Sequence, residues 1–190
     1  MKSKVRSACC LPLLALGLAA AGAAPEALPN GGDVSLVFAD KVYLHRWSKD
    51  DQHEFTPRGQ EDLQRWTDMI TINYYRNARD GEDLAAVANS VLGNYQRNRA
   101  QVLKTSSVPR SAQKPAEYLI VVLFPQPEFI EAVFSRFKLV GGTGTAAIYC
   151  HREYGKQIGD QMSAWLQKND AAIEKALMAW ERIPPFDAQK

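Results

Sequence analysis

The segment at residues 118–124 constrains the fold of this chain more than any other stretch. It reads Tyr-Leu-Ile-Val-Val-Leu-Phe, and all seven residues are apolar or aromatic. Because consecutive residues of a strand point to opposite faces, this strand is apolar on both of its faces. Such a strand belongs at the centre of a sheet that is covered on both sides. The sequence therefore predicts a β-sheet between two other layers.

Two amphipathic helices are the predicted covering layers. Apolar residues recur at helical spacing over 81–99, after Asp80, which has the chemistry of an N-cap residue. A second apolar stripe runs from Ile158 to Trp180, and Pro184-Pro185 ends the ordered region. Each helix has to bury its stripe against the sheet.

Most of the remaining apolar segments are predicted to be strands joined by short turns. These strands cover residues 34–39, 41–47, 52–56, 69–75 and 145–153. A shorter strand is predicted over 101–105, with a polar loop over 106–115. Short turns imply antiparallel pairing. The predicted fold class is α+β, an antiparallel β-sheet packed against two long amphipathic helices in an α/β/α sandwich.

Residues 128–139 fit two descriptions. Their apolar residues lie on one helical face, with Pro127 as a first helical residue. They also read as a strand, which we prefer because the glycine-rich segment 141–144 is a natural turn into the strand at 145–153. The same glycines superficially resemble a phosphate loop. A phosphate loop leads into a helix and carries a lysine and a hydroxyl group, whereas an apolar strand follows here.

The first 23 residues have the pattern of a signal peptide. A basic start precedes an apolar run over 11–20, and Ala21-Gly22-Ala23 suits signal peptidase. The run is shorter than the roughly 20 residues of a membrane span, so we expect no stable membrane insertion after cleavage. The expected location is the periplasm or the medium. We expect a connector at 24–33, one domain at 34–183 and a tail at 184–190.

Removal of the leader changes the charge and the cysteine content. The 23 basic residues fall to 20 against 21 acidic ones, because Lys2, Lys4 and Arg6 are lost. A nearly neutral domain lacks the basic surface that nucleic acid requires, so we expect no nucleic-acid partner. Cys9 and Cys10 are lost as well, and Cys150 is then expected to be a single, buried thiol.

The strand at 41–47 supplies the candidate interaction surface. Tyr43, His45 and Trp47 are predicted to share one face, and a hairpin closed by residues 48–51 would place His45 opposite Glu54. If that face is uncovered, it is an aromatic patch of the kind found at protein interfaces. If a helix covers it, it belongs to the core, and the sequence favours neither alternative.

No constellation of residues predicts catalysis, a cofactor or a metal site. A His45–Glu54 pair lacks a third metal ligand at a recognisable spacing. Cys150 and His151 are neighbours on a strand and point to opposite faces. Carboxylates surround Trp66, which we interpret as a core residue beside a solvated turn; they are Glu54, Glu61, Asp62 and Asp68.

One pattern resembles a known group of proteins. The segment from Glu54 to Gln60, followed by Trp66 to Thr71, is similar to a motif of small exported bacterial proteins of unknown activity. Together with the order of elements, the chain resembles the PsbP-like α/β/α sandwich. That resemblance implies binding and assembly factors rather than enzymes, and it carries over no catalytic residue.

These observations favour an exported, non-enzymatic domain that binds another protein, as an assembly factor or as an inhibitor or immunity-type protein. The alternative is a small periplasmic hydrolase that uses a carboxylate such as Glu54, or the Cys150 thiol.

Overall fold

The computed structural model describes residues 35–185. The predicted leader at 1–23 and connector at 24–33 lie outside the described residues, as do residues 186–190 of the predicted tail. These three expectations therefore stay predictions.

The described chain forms eight strands and two helices. The strands are β1 (Ser35–Phe38), β2 (Lys41–Lys49), β3 (Gln52–Pro57), β4 (Asp68–Tyr75), β5 (Gln101–Val108), β6 (Glu117–Pro125), β7 (Phe129–Val140) and β8 (Thr143–Tyr154). The helices are α1 (Gly81–Arg97) and α2 (Ile158–Ala179). Helix α1 separates β4 from β5, and α2 follows the last strand.

All eight strands belong to one antiparallel sheet, in the order β1-β2-β3-β4-β8-β7-β6-β5. The chain leaves the sheet after β4, passes through α1 and returns at the far edge as β5. It then comes back strand by strand until β8 pairs with β4. The protein is thus an α+β fold with an eight-stranded antiparallel sheet and two helices, and the predicted antiparallel pairing is confirmed.

Strand β6 shows how the sheet is covered. Ile120 and Val122 pack in a cluster with buried residues of α1, whereas Leu119 and Val121 pack in a second cluster with buried residues of α2. The two helices therefore lie on opposite faces, and the predicted cover on both faces of β6 is confirmed. Its predicted central position is wrong, because β6 is second from the edge. A strand that is apolar on both faces is covered by helices above and below it. This pattern does not indicate how many strands lie on either side of it.

The two helices are too narrow to cover the whole sheet. Helix α1 packs on β6, β7 and β8, and α2 packs mainly on β7 and β8. On the α2 side, the chain after the helix extends the cover towards β1, where the rings of Phe38 and Trp180 lie 5.2 Å apart. Strand β5 lies beyond the cover of both helices.

Residues 128–139 form strand β7, so the preferred of the two descriptions is confirmed. The turn into β8 uses Gly141 and Gly142, whose φ angles of +57° and +75° are those of a tight hairpin turn that other residues adopt only with strain. A strand follows the glycines, as expected for a hairpin and not for a phosphate loop.

Gly144, two residues further on, should not tolerate a side chain. A Cβ atom there would lie 2.6 Å from the Cβ of Ala78, and the Gly144 amide already donates to the Ala78 carbonyl at 2.7 Å. Gly144→Ala should therefore lower the free energy of unfolding by about 1–2 kcal/mol through overpacking. Urea titration measures this value, with Gly81→Ala, where a Cβ meets open space, as the control. Equal stability of both variants would contradict the prediction.

Candidate functional site

The four residues of the predicted interaction surface do not form one surface. Strand β2 continues to Lys49, so the hairpin turns at residues 50–51 instead of 48–51 and Trp47 lies opposite Glu54. A β-bulge between His45 and Trp47 then places His45 opposite Phe55. The predicted His45–Glu54 pairing is therefore wrong, and His45 and Trp47 point to opposite faces. Tyr43 and Glu54 are both only 2% exposed. Tyr43 belongs to the core cluster on the α2 side of the sheet, so this part of the predicted aromatic face lies in the core.

The bulge brings His45 next to another histidine. The rings of His45 and His53 lie 5.6 Å apart, and His53 also packs against Tyr74. Burial and the nearby His53 lower the pKa of His45. Burial also lowers the pKa of His53, although Asp51 opposes this effect.

This histidine pair should make the fold sensitive to mild acid. Both folded-state pKa values lie below the unfolded value of about 6.5, so the unfolded chain takes up protons more readily. The free energy of unfolding should therefore fall as the pH drops below about 6.5 towards the folded-state pKa values. We expect His45→Phe to show a smaller loss between pH 7 and pH 5, measured by urea titration. An unchanged loss in His45→Phe would contradict this assignment.

One polar network of the α2 side is centred on Asp68. Its Oδ1 accepts a hydrogen bond from the Tyr149 hydroxyl at 2.7 Å and lies 3.0 Å from His151 Nδ1. Its Oδ2 accepts from Lys41 Nζ at 2.7 Å. The other ring nitrogen of His151 lies 3.1 Å from Glu153 Oε1. The sequence suggested that Asp68 belongs to a solvated turn. That interpretation is wrong, because its side chain is only 13% exposed.

The electrostatics of this network stabilise a charged Asp68. Burial alone would raise its pKa, but hydrogen bonds from His151, Lys41 and Tyr149 outweigh burial and hold the pKa of Asp68 well below its usual range. Burial and the neighbouring carboxylate raise the pKa of Tyr149. The His151 ring stacks on Trp165 of α2 at a centroid distance of 3.9 Å. The network therefore ties β4, β8 and α2 together.

The geometry of His151 favours a structural role over catalysis. Its Nδ1 lies 3.0 Å from Asp68 Oδ1 and its Nε2 lies 3.1 Å from Glu153 Oε1. Both ring nitrogens are thus engaged by carboxylates, and neither is directed at a substrate position. A general base needs a ring nitrogen within reach of the proton that it removes.

Cys150 and His151 are separated by the sheet. Cys150 lies fully buried in the cluster beneath α1, whereas His151 stacks on α2, so the expectation that the two side chains cannot meet is confirmed. The expected burial of Cys150 is also confirmed. The expectation of a single thiol concerned the chain after loss of residues 1–23. In the full 190-residue chain, Cys150 is disulfide-bonded. Cys9 and Cys10 lie outside the described residues.

A buried ion pair occupies the α1 side of the sheet at the end of β8. Arg152 Nε donates to Glu131 Oε2 at 2.9 Å, and the two side chains are 2% and 0% exposed. The guanidinium group lies between the rings of Trp66 and Phe129, 4.0 Å from each centroid. Trp66 is 1% exposed, so its predicted core position is confirmed.

Two surface depressions flank α1. The first lies between the end of β4 and α1, and the second lies between the start of α1 and residues 110–118. Neither is lined by Asp68, His151 or Cys150. Within residues 35–185, no group of three or more histidine, cysteine, aspartate or glutamate side chains is placed to hold a metal ion. In the same range, neither helix combines the length and apolarity that crossing a membrane requires.

Strand β5 is the most exposed element of the sheet. All eight of its residues are exposed, and among residues 35–185 it pairs only with β6, at the edge of the sheet. A bulge lies between Val102 and Lys104, and from Lys104 to Val108 the pairing with β6 is regular. The strand is three residues longer than predicted, since residues 106–108 extend the sheet and were assigned to a loop. The other edge strand, β1, has four residues, two of which are buried.

The chain around β5 is strongly basic. Residues 97–116 contain no acidic residue, and their five basic residues are all exposed: Arg97, Arg99, Lys104, Arg110 and Lys114. In the described part of the chain, only Lys104 of these five forms an ion pair, with Glu174 of α2 at 2.6 Å. This surface was not predicted from the sequence, because the charge of the domain as a whole is close to neutral. The local run of basic residues was the signal that could have revealed it.

Comparisons with known proteins give a distant likeness at the level of structure. No protein-family model matches the chain, and no curated protein matches its sequence. The Ran-binding protein Mog1p of Saccharomyces cerevisiae is similar with a TM-score of 0.43 and 9% identity, over 77% of this chain and 91% of that chain. Human STARD10 is similar with a TM-score of 0.30 and 9% identity, over 73% and 74% of the two chains.

Proposed function

We propose that this chain is an exported, periplasmic, non-enzymatic domain that binds another protein, as an assembly factor or an inhibitor. The observation that carries the proposal is strand β5, an eight-residue edge strand with all of its residues exposed. The unpaired main-chain groups of such an edge can pair with another polypeptide. An edge of this length that neither helix covers is therefore a natural site of protein binding.

Exposed apolar side chains on β5 support the same proposal. Val102, Leu103 and Val108 are 36%, 42% and 49% exposed. Their exposure has a cost in water that burial against a partner would remove. The other five residues of the strand are polar, which suits a surface that must stay soluble without its partner.

Export and the PsbP-like sandwich belong to this proposal as well. The signal-peptide pattern of residues 1–23 supports export. Helices on opposite faces of an antiparallel sheet support the sandwich. Determination of the N-terminal residue of the protein recovered from a periplasmic fraction tests export. A start at Ala24 would support it, and recovery only in the cytoplasm with Met1 intact would contradict it.

Site-specific crosslinking tests the binding surface. A photoreactive amino acid at position 106, in the regular part of β5, should give a discrete adduct with a second protein in the periplasm. The matched control is the same amino acid at position 168, which is exposed on α2. No adduct from position 106, or the same adducts from both positions, would contradict protein binding through β5.

A further inference from the structure

We propose that the unpaired edge of β5 binds an acidic, extended polypeptide segment, which joins the sheet as a ninth strand. This inference rests on the proposed function and specifies the chemistry of the partner. It depends on three properties of the described residues, which are the regular backbone of the edge, the small side chains along it and the charge around it.

The backbone from Lys104 to Val108 is ready to pair with another strand. Its register with β6 is regular, from Lys104 opposite Val121 to Val108 opposite Glu117. An incoming extended segment would add at the usual spacing of about 4.8 Å and satisfy the unpaired main-chain groups of this edge. All eight residues of the strand are exposed, although the Lys104 side chain is paired with Glu174 of α2.

The side chains of the regular stretch limit what can pair with it. Thr105, Ser106 and Ser107 are short and carry hydroxyl groups, so they leave both faces of an added strand accessible. Thr105 and Ser107 lie on the α1 side, opposite Ile120 and Tyr118 of β6, whereas Ser106 lies on the α2 side. Threonine and serine form favourable hydrogen-bonded pairs with hydroxyl side chains across strands.

The charge around β5 selects an acidic segment. Arg99 lies two residues before the strand and Arg110 lies two residues after it, so exposed cations bracket an edge roughly 27 Å long. Lys104 lies within the edge but is already paired with Glu174 of α2, so Arg99 and Arg110 carry the selectivity. A partner with carboxylates near both ends of its strand would meet a cation at each end.

The same charge disfavours a second copy of this chain. Pairing two β5 strands would bring together two segments that each carry five basic residues and no acidic residue. Like charges brought together at an interface disfavour association. A foreign acidic strand meets no such penalty.

Designed peptides test the inference directly with the purified protein. The probe is an eight-residue peptide that alternates valine and threonine and has a glutamate at each end. One control peptide replaces both glutamates with lysine. A second control keeps the glutamates but is N-methylated at alternate amides, which removes main-chain donors and leaves the charge unchanged. Binding is measured by fluorescence anisotropy, and hydrogen exchange locates the protected amides.

We expect the acidic peptide to bind more tightly than both control peptides and to slow exchange at residues 104–108. Arg99→Glu/Arg110→Glu should weaken its binding about tenfold or more. Arg58→Glu/Lys168→Glu, which changes two exposed cations away from β5, should leave it unchanged. Equal binding of all three peptides, protection elsewhere, or a dimer that forms through β5 in sedimentation experiments would overturn the inference. An adduct from position 106 together with a negative peptide result would leave protein binding standing and refute only the acidic strand.

Discussion

Replacing Arg152 with methionine should lower the free energy of unfolding by about 3–5 kcal/mol, the usual cost of removing one partner from a buried ion pair. The Glu131 carboxylate is fully buried, and the variant takes away the guanidinium group whose Nε and Nη2 both lie 2.9 Å from its Oε2. The guanidinium group also fills the space between two aromatic rings at 4.0 Å from each. Methionine keeps much of that volume and none of the charge.

Three further variants separate charge from packing. Arg152→Lys keeps the charge but loses the planar group between Trp66 and Phe129, so an intermediate loss is expected. Glu131→Leu/Arg152→Met removes both charges and should recover most of the stability. Lys104→Met breaks an exposed ion pair and should cost less than about 1 kcal/mol. Urea titration followed by tryptophan fluorescence measures all four variants. A double variant as unstable as Arg152→Met would show that lost packing, and not the unpaired charge, sets the cost.

Local signals in the sequence were sufficient for the elements that local interactions determine. Helix α1 was predicted over 81–99 and is observed over Gly81–Arg97. Its predicted N-cap, Asp80, accepts hydrogen bonds from the amides of Glu82 and Asp83. The hairpin at Gly141 and Gly142 was predicted for the same reason, because residues within four positions of one another define it.

The errors come from features that alternation of side chains does not encode. The β2–β3 turn takes residues 50–51 instead of the predicted 48–51, so every predicted pair of this hairpin was out of register. The bulge between His45 and Trp47 adds a further shift and puts these two side chains on opposite faces. Strand β5 was predicted too short because neither of its faces is buried. A strand exposed on both faces has no hydrophobic pattern by which sequence analysis can recognise it.

The Asp68 network could not be predicted, because non-local pairing assembles it. Asp68 and His151 are 83 residues apart and meet because β4 pairs with β8, with these two residues directly opposite each other. The sequence placed Asp68 among several carboxylates near Trp66 and could not distinguish it from Asp62, which is exposed. Which carboxylate is buried depends on strand register, and the sheet order determines that register.

Asp68→Asn should lower the free energy of unfolding at pH 7 by about 2–3 kcal/mol, because it weakens hydrogen bonds that involve a charged group. The folded-state pKa of Asp68 lies below its unfolded value of about 3.9. The carboxylate therefore contributes stability that is present above pH 3.9 and is lost as the pH falls through the folded-state pKa. The difference between the natural protein and Asp68→Asn should accordingly shrink below about pH 4.

Two variants make this last prediction specific to the network. Tyr149→Phe removes one hydrogen bond to Asp68 and keeps its charge, so we expect a smaller loss of about 1 kcal/mol at pH 7. Glu128→Gln changes an exposed carboxylate and should stay within about 0.5 kcal/mol of the natural protein. Urea titrations at pH 7, 5, 4 and 3 give the four curves. If the curves of the natural protein and Asp68→Asn stay parallel down to pH 3, the charge of Asp68 is not the source of the stability. The hydrogen bonds alone would then hold β4, β8 and α2 together.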